Sequence, residues 1–313
     1  MGRAQAVAGR DALSFEDWLL QTNETMIASF IITFRETLEA ALIVGIVLSY
    51  LARTKQTKYN NVVYLGLASA IVASIIGALL FTNLAGGFTG RAEEIFEGVT
   101  MLIGASLLTT MILWMMKQRH IAEELQSRVA AEVAETHRFG LFSLVFVAVL
   151  REGIETVIFL GAASFVSANN SLLGAGAGIL AAVLLGYAMF AGSMRVSLTR
   201  FFGITSILLV LFAAGLVAHG VHELQEAALI PTVVEHVWDI NPPVNPDGTY
   251  PLLHENGYGG SILKGLFGYN GNPSLIEVSS YVGYLLLVGG LWRRIERGQK
   301  VTQLKNADTA AIV

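Results

Sequence analysis

The chain has 313 residues, 54% hydrophobic and 14% charged, with 20 Lys and Arg against 24 Asp and Glu, and a mean hydropathy of +0.59. That balance points to the lipid bilayer as solvent, and basic residues scattered through short loops exclude a nucleic-acid partner. Cysteine is absent, which excludes disulfides, thiolate ligands and Cys nucleophiles; any metal site must use oxygen, imidazole or water, favouring hard cations.

Residues 1–25 read as an external amino-terminal segment. It lacks the apolar core directly after a basic start that a secretory signal carries, and Phe15, Trp18 and Leu19 suit a short interfacial helix. Seven stretches then reach the roughly 20 residues that a helix needs to cross about 30 Å of hydrocarbon. They are 26–51, 62–82, 95–116, 139–166, 172–194, 201–224 and 275–292. The expected fold is all-α, a polytopic membrane protein with seven transmembrane helices.

Basic residues fall after the first span (Arg53, Lys55, Lys58), the third (Lys117, Arg119, Arg128, Arg138), the fifth (Arg195, Arg200) and the last (Arg293, Arg294, Arg297, Lys300). The positive-inside rule makes that side the cytoplasm, with the amino terminus outside and the carboxyl terminus inside. Residues 119–138 read as a charged cytoplasmic helix or linker. Gly174, Gly178, Ala182 and Gly186 form a small-residue stripe suited to close helix packing. All six prolines lie in 229–274, an external loop, and 275–313 hold the last span and a cytoplasmic tail.

Laying the first span over the fourth aligns RETLEAALIVG from Arg35 with REGIETVIFLG from Arg151. Three spans separate the copies, so 26–118 and 139–228 form a 3+3 inverted repeat with the seventh helix appended. Both motifs lie about 14 to 18 Å into their spans, near mid-membrane.

Within each motif the arginine and both glutamates share one broad helix face. Each intramembrane charge costs roughly 2.5 to 3.5 kcal/mol on insertion scales, so neither motif is expected to face lipid. Each has more carboxylate than guanidinium. Glu36, Glu39, Glu152 and Glu155 are therefore the expected central ligands of a cation, oriented by Arg35 and Arg151. A second, outer group comprises Glu93, Glu94 and Glu97 at the start of span three with His219, His222, Glu223 and Glu226 at the end of span six. These acids stand only at the outer mouth, which favours capture from outside.

RETLE and REGIE, EEIFEG opening span three, HGVHELQEA closing span six and ILKGLFGYNGNPS before span seven together resemble the oxidase-dependent iron permeases, the fungal high-affinity ferric permease and its bacterial EfeU-like relatives. The resemblance spans 26–292. It implies import of iron, ferric rather than ferrous, as transported substrate through the motif glutamates Glu36, Glu39, Glu152 and Glu155. It also implies an external or periplasmic iron-oxidising or iron-delivering partner, and a multi-pass place in the plasma membrane, a bacterial inner membrane given the short carboxyl tail. The fungal Asp-Ala-Ser-Glu segment is missing from the last external loop.

The nearest rival is a permease for lead or manganese, since carboxylates alone do not choose the metal. An enzyme is not expected. The one enzymatic rival, an intramembrane serine protease, rests on Gly104-Ala-Ser106 in span three with His219 in span six. A retinal protein would need a lysine in 275–292, which has none. A haem reductase would need histidines on facing helices, and His219 and His222 share one.

Overall fold

A computed structural model describes residues 15–117, 129–130, 138–166, 172–191, 198–246 and 249–312. Among the described residues there are eight α-helices, a 3-10 turn at Thr57–Tyr59, and no strand: α1 (Phe15–Arg53), α2 (Asn60–Ala85), α3 (Arg91–Lys117), α4 (Arg138–Val166), α5 (Leu172–Ala191), α6 (Leu198–Glu226), α7 (Tyr258–Phe267) and α8 (Leu275–Ile312). The chain is a polytopic all-α membrane protein. Five segments, Thr57–Ala85, Arg91–Met115, Leu172–Phe190, Gly203–Glu226 and Leu275–Gly298, are long and apolar enough to cross a bilayer. The other two long helices, α1 and α4, carry the charged motifs in their middles.

The first helix corrects one expectation. Phe15 does not begin a separate interfacial helix; it opens α1, whose 39 residues run unbroken to Arg53 and span about 58 Å at 1.5 Å per residue. No proline interrupts the segment and Gly45 is its only glycine, so nothing stops the helix after Leu19. The charged connector 119–138 lies outside the described residues apart from Val129, Ala130 and Arg138; Val129 is buried against α1, α2 and α4.

Glycines set how the helices pair. In α5, Gly178 lies against Phe30 and Thr33 of α1 and Gly186 against Ala41, while the Phe190 ring fills the space beside Gly45. The small-residue stripe of α5 is thus a seam on α1, closed further by Thr33 Oγ1, which donates to the Ala175 carbonyl at 2.9 Å. On α4, Gly153 receives Ser74 of α2 and Gly161 receives the Phe81 ring. Gly45 and Gly161 each stand ten residues after a motif arginine, and each accommodates a phenylalanine from its neighbour. Both pairs run parallel. Helices α3 and α6 run antiparallel, with Gly98 and Gly220 meeting backbone to backbone.

The segment after α6 is ordered by backbone pairing. Val237 N–H donates to the Pro273 carbonyl and Ile240 N–H to the Gly271 carbonyl, both at 2.9 Å. Between these strips lies α7, which re-enters the helix layer. Gly268 ends it in the left-handed conformation, φ 71°, and Gly268 and Tyr269 donate back to the Lys264 and Leu263 carbonyls, a glycine-terminated helix stop. A side chain at Gly268 would collide with the Gly215 backbone in the middle of α6. Leu266 and Phe267 therefore reach down beside Ala28 and Ile32 of α1 and Leu209 and Phe212 of α6. The cavity left there, about 10 Å³, is too small and too apolar for a hydrated ion.

Valine at Gly45 or Gly161 is expected to lower stability by about 1–3 kcal/mol through overpacking. Shortening the opposing ring, Phe190→Leu or Phe81→Leu respectively, should recover most of that loss, as read from thermal unfolding in detergent.

Candidate metal centre

The motif in α1 is sealed. Arg35 is 0% exposed and Glu36 1%. Arg35 Nη1 donates to Glu36 Oε1 at 2.6 Å, and Nη2 stands 2.7 Å from Glu39 Oε1. The same two nitrogens donate to the sulfurs of Met111 at 3.1 Å and Met115 at 2.9 Å, both on α3.

The motif in α4 is built differently. Arg151 Nε donates to Glu155 Oε1 at 2.7 Å and lies 3.8 Å from Glu152 Oε1, while 44% of the side chain is accessible. Its guanidinium carbon lies 5.3 Å from the centre of the Trp114 ring. Arg35 is therefore enclosed, whereas Arg151 is partly accessible. The ring of Trp114 lies over Arg151, yet nearly half of the arginine side chain stays accessible.

Across the α1–α4 interface, Glu36, Glu39 and Glu152 each offer a carboxylate oxygen within 4.8 Å of the others. Glu155 borders this group through its pair with Arg151. Five buried polar atoms here have no hydrogen-bond partner: Arg35 Nε, Glu36 Oε2, Glu39 Oε1, Glu152 Oε2 and Glu155 Oε2. Glu39 Oε1 touches Arg35 Nη2 as an ion pair but is not aligned to accept its hydrogen. Such atoms are uncommon in native interiors, and each costs about 1–3 kcal/mol or more when charged. One cation among Glu36, Glu39 and Glu152 would satisfy three of them at once.

The two ends of the cluster differ. Ile32, three residues before Arg35 on α1, packs with the apolar tip of α7, which plugs that end. Arg151 lies at the opposite end, since α4 runs antiparallel to α1, and that end is accessible.

The expected outer residues are brought near one another only in part. Span three meets span six at Gly98 and Gly220, and Arg91 Nε donates to the Ala227 carbonyl at 2.9 Å, which keeps Glu93, Glu94 and Glu97 beside the end of α6. His219 is buried, with Nδ1 3.0 Å from the Gly215 carbonyl and Nε2 unpartnered. His222 is engaged instead with Glu277, Nδ1 to Oε1 at 3.1 Å, and with Glu226 at 3.4 Å. Among the described residues these side chains do not draw three ligands as close together as the central group does. Ser106 is exposed and donates to Leu102, away from His219, so the protease reading has no dyad.

Sequence reasoning missed Glu277, Asn270, Met111, Met115 and Trp114. Glu277 was legible as the second half of a Ser-x-x-Glu capping box. Ser274 N–H donates to its Oε1 at 3.0 Å, and its own N–H donates to Ser274 Oγ at 3.2 Å. Asn270 Nδ2 adds a bond to Oε2 at 2.8 Å. The methionines carry no polar signal in a span.

Buried carboxylates held between two long helices, packed among helices long and apolar enough to cross a bilayer, fit a membrane permease rather than an enzyme. The chain belongs to the iron permease family: the pattern of the Iron permease FTR1 family matches residues 26–297. It is similar to proteins named Ferrous iron permease EfeU. The one from Yersinia pestis is 33% identical over 265 residues, covering 83% of this chain and 91% of that protein. The one from Escherichia coli O6:H1 is 35% identical over 266 residues, covering 83% and 93%. No solved structure matches.

Glu277 ties α6, α8 and the loop together. Glu277→Ala is expected to cost about 1–3 kcal/mol, the loss of a cap and of buried hydrogen bonds, visible as a lowered thermal midpoint. Glu277→Gln should cost less because it keeps an acceptor.

Proposed function

We propose that the chain imports iron across a bacterial inner membrane through Glu36, Glu39, Glu152 and Glu155, with Arg35 and Arg151 fixing the carboxylates. The observation that carries this reading is the group Glu36, Glu39 and Glu152, whose carboxylates each offer an oxygen within 4.8 Å of the others and each carry a buried oxygen without a hydrogen bond. Seven helices cross the bilayer, α1 to α6 and α8, with the amino terminus outside. α1 and α4 count among them because their charges are turned onto each other. The exchanged pairing, α1 with α5 and α4 with α2, supports the inverted repeat, since a two-fold axis in the membrane plane converts one pair into the other.

In that orientation the plugged end is the outer one and the accessible Arg151 end is cytoplasmic. The arrangement reads as the inward-facing state of an alternating-access cycle, with α7 as the outer closure. Glu93, Glu94, Glu97, His219, His222, Glu223 and Glu226 then act as an outer relay toward the central group rather than as a second preassembled site.

Two guanidiniums against four carboxylates leave the ionised cluster at −2, which Fe²⁺ neutralises, and the relatives are named for ferrous iron. Ferric iron, delivered after oxidation by an external partner, is the second reading; the all-carboxylate set of buried oxygens favours it because hard oxygen ligands suit Fe³⁺.

Glu36→Gln, Glu39→Gln and Glu152→Gln are each expected to abolish radiolabelled iron uptake in proteoliposomes while membrane abundance stays normal. Glu155→Gln should leave measurable uptake, because Glu155 lies outside the three-oxygen group. Normal uptake by the first three variants would sink the reading. Supplying ferrous iron under ascorbate, or ferric citrate, with manganese and lead as competitors, separates the oxidation states and the metals.

A further inference from the structure

We propose that Met111, Trp114 and Met115 form an arginine cradle on α3, three positioning residues that turn the hydrogens of Arg35 and the guanidinium of Arg151 away from the oxygens that iron needs. This rests on the central-site reading above and names what positions the charges around it.

Helix α3 gives no carboxylate to the central group, yet it touches both arginines. Met111 and Met115 are one helical turn apart and share a face, and their sulfurs lie 3.1 and 2.9 Å from the two terminal nitrogens of Arg35. Trp114, between them in sequence, turns its ring toward Arg151 on the other motif.

The chemistry of these partners matters. A guanidinium has five N–H donors and no acceptor, and inside a membrane each donor seeks an oxygen. The nearest free ones are the carboxylate oxygens of the metal group. A thioether is a weak, neutral acceptor. It takes a hydrogen without adding a charge that would compete for the ion. The geometry records that division. Nη2 keeps Glu39 Oε1 at 2.7 Å as an ion pair, but one of its two hydrogens goes to Met115 and neither is aligned on Glu39 Oε1. Nη1 takes one oxygen of Glu36 and sends a second hydrogen to Met111, leaving Glu36 Oε2 free. On the other motif the Trp114 face attracts Arg151 through its π electrons; Arg151 holds Oε1 of Glu155, and the Oε2 atoms of Glu152 and Glu155 stay open.

Without the thioethers the hydrogens of Arg35 turn onto Glu39 Oε1 and Glu36 Oε2, and iron must displace them. The cradle sets affinity rather than turnover.

The test is iron uptake by proteoliposomes with KM and kcat resolved. Met111→Leu with Met115→Leu keeps volume and apolarity; it is expected to raise KM about tenfold, the value of roughly one lost hydrogen bond of ordinary strength, with kcat little changed. Gln at both positions restores a neutral acceptor of similar length and is expected to return KM toward that of the unmodified protein. A packing role gives the opposite order, Leu tolerated and Gln damaging, and would overturn the proposal. So would a sulfur neighbour in the X-ray absorption spectrum of bound iron, which would make the thioethers ligands. If the double variant fails to accumulate, each single Leu substitution carries the test, with about a threefold rise in KM expected. Trp114→Phe should act mildly and Trp114→Leu more strongly, and equal effects would count against the ring's part. Glu36→Gln run alongside separates the two failures: unchanged KM in the Leu variants with dead Glu36→Gln defeats only the cradle, whereas active Glu36→Gln defeats the central-site reading beneath it.

Discussion

Six ionisable side chains in the middle of two helices govern the rest of the architecture. Left facing lipid they would cost roughly 15 to 20 kcal/mol together on insertion scales. The only inexpensive arrangement turns α1 and α4 face to face, so that each motif becomes part of the other's solvent. Once that interface is fixed, α5 must cover the back of α1 and α2 the back of α4. The antiparallel pair α3 and α6 closes the flank, with Met101, Leu108, Phe159 and Leu216 forming the apolar core beside the charges. What remains outside is apolar, as in α2 and α8, which bury little of their surface.

The ion pairs inside this interface are incomplete in a way that a structural network would not be. A buried pair retained for stability has its remaining lone pairs hydrogen-bonded, because the desolvation cost otherwise exceeds the attraction. Here each arginine occupies one oxygen of a neighbouring carboxylate and leaves another bare. Among the described residues no hydroxyl or amide fills the gap; the added contacts are the Met111 and Met115 thioethers and the Trp114 ring. On the proposed reading the charges are held close enough to survive in the membrane and loosely enough to admit a cation.

Much of this was legible in the sequence. The length of apolar runs, the spacing of Arg35, Glu36 and Glu39 on a helix face, and the small-residue stripe of α5 are local properties, and the helices and the α1–α5 seam follow them. Other features depend on partners far away in sequence. Tyr258–Phe267 is too short to be read as crossing anything, and its depth is decided by Gly268 meeting Gly215, a contact that no periodicity announces. Met111 and Met115 look like ordinary span residues until a guanidinium lies beside them. The accessibility of Arg151 also escaped, since its motif reads almost identically to that of the sealed Arg35. His222 read as a metal ligand because Glu277, which claims it, lies 55 residues on.

That last pair of near-identical motifs with unlike surroundings has a physical cause. In the proposed inverted repeat, two copies of a three-helix unit meet at a single cluster that has two ends. If both ends were packed like the Arg35 end, under Ile32 and the tip of α7, no ion could arrive or leave. If both were as open as the Arg151 end, water would join the two sides and the carboxylates would lose the low-dielectric setting that makes them selective for a strongly bound cation. A sequence repeat in such a molecule can be symmetric only on average over its states. The insertion between α6 and α8, which has no counterpart between α3 and α4 among the described residues, supplies the plug at one end, and Trp114 supplies a partial cover at the other. The asymmetry is carried by residues around the motifs rather than by the motifs themselves.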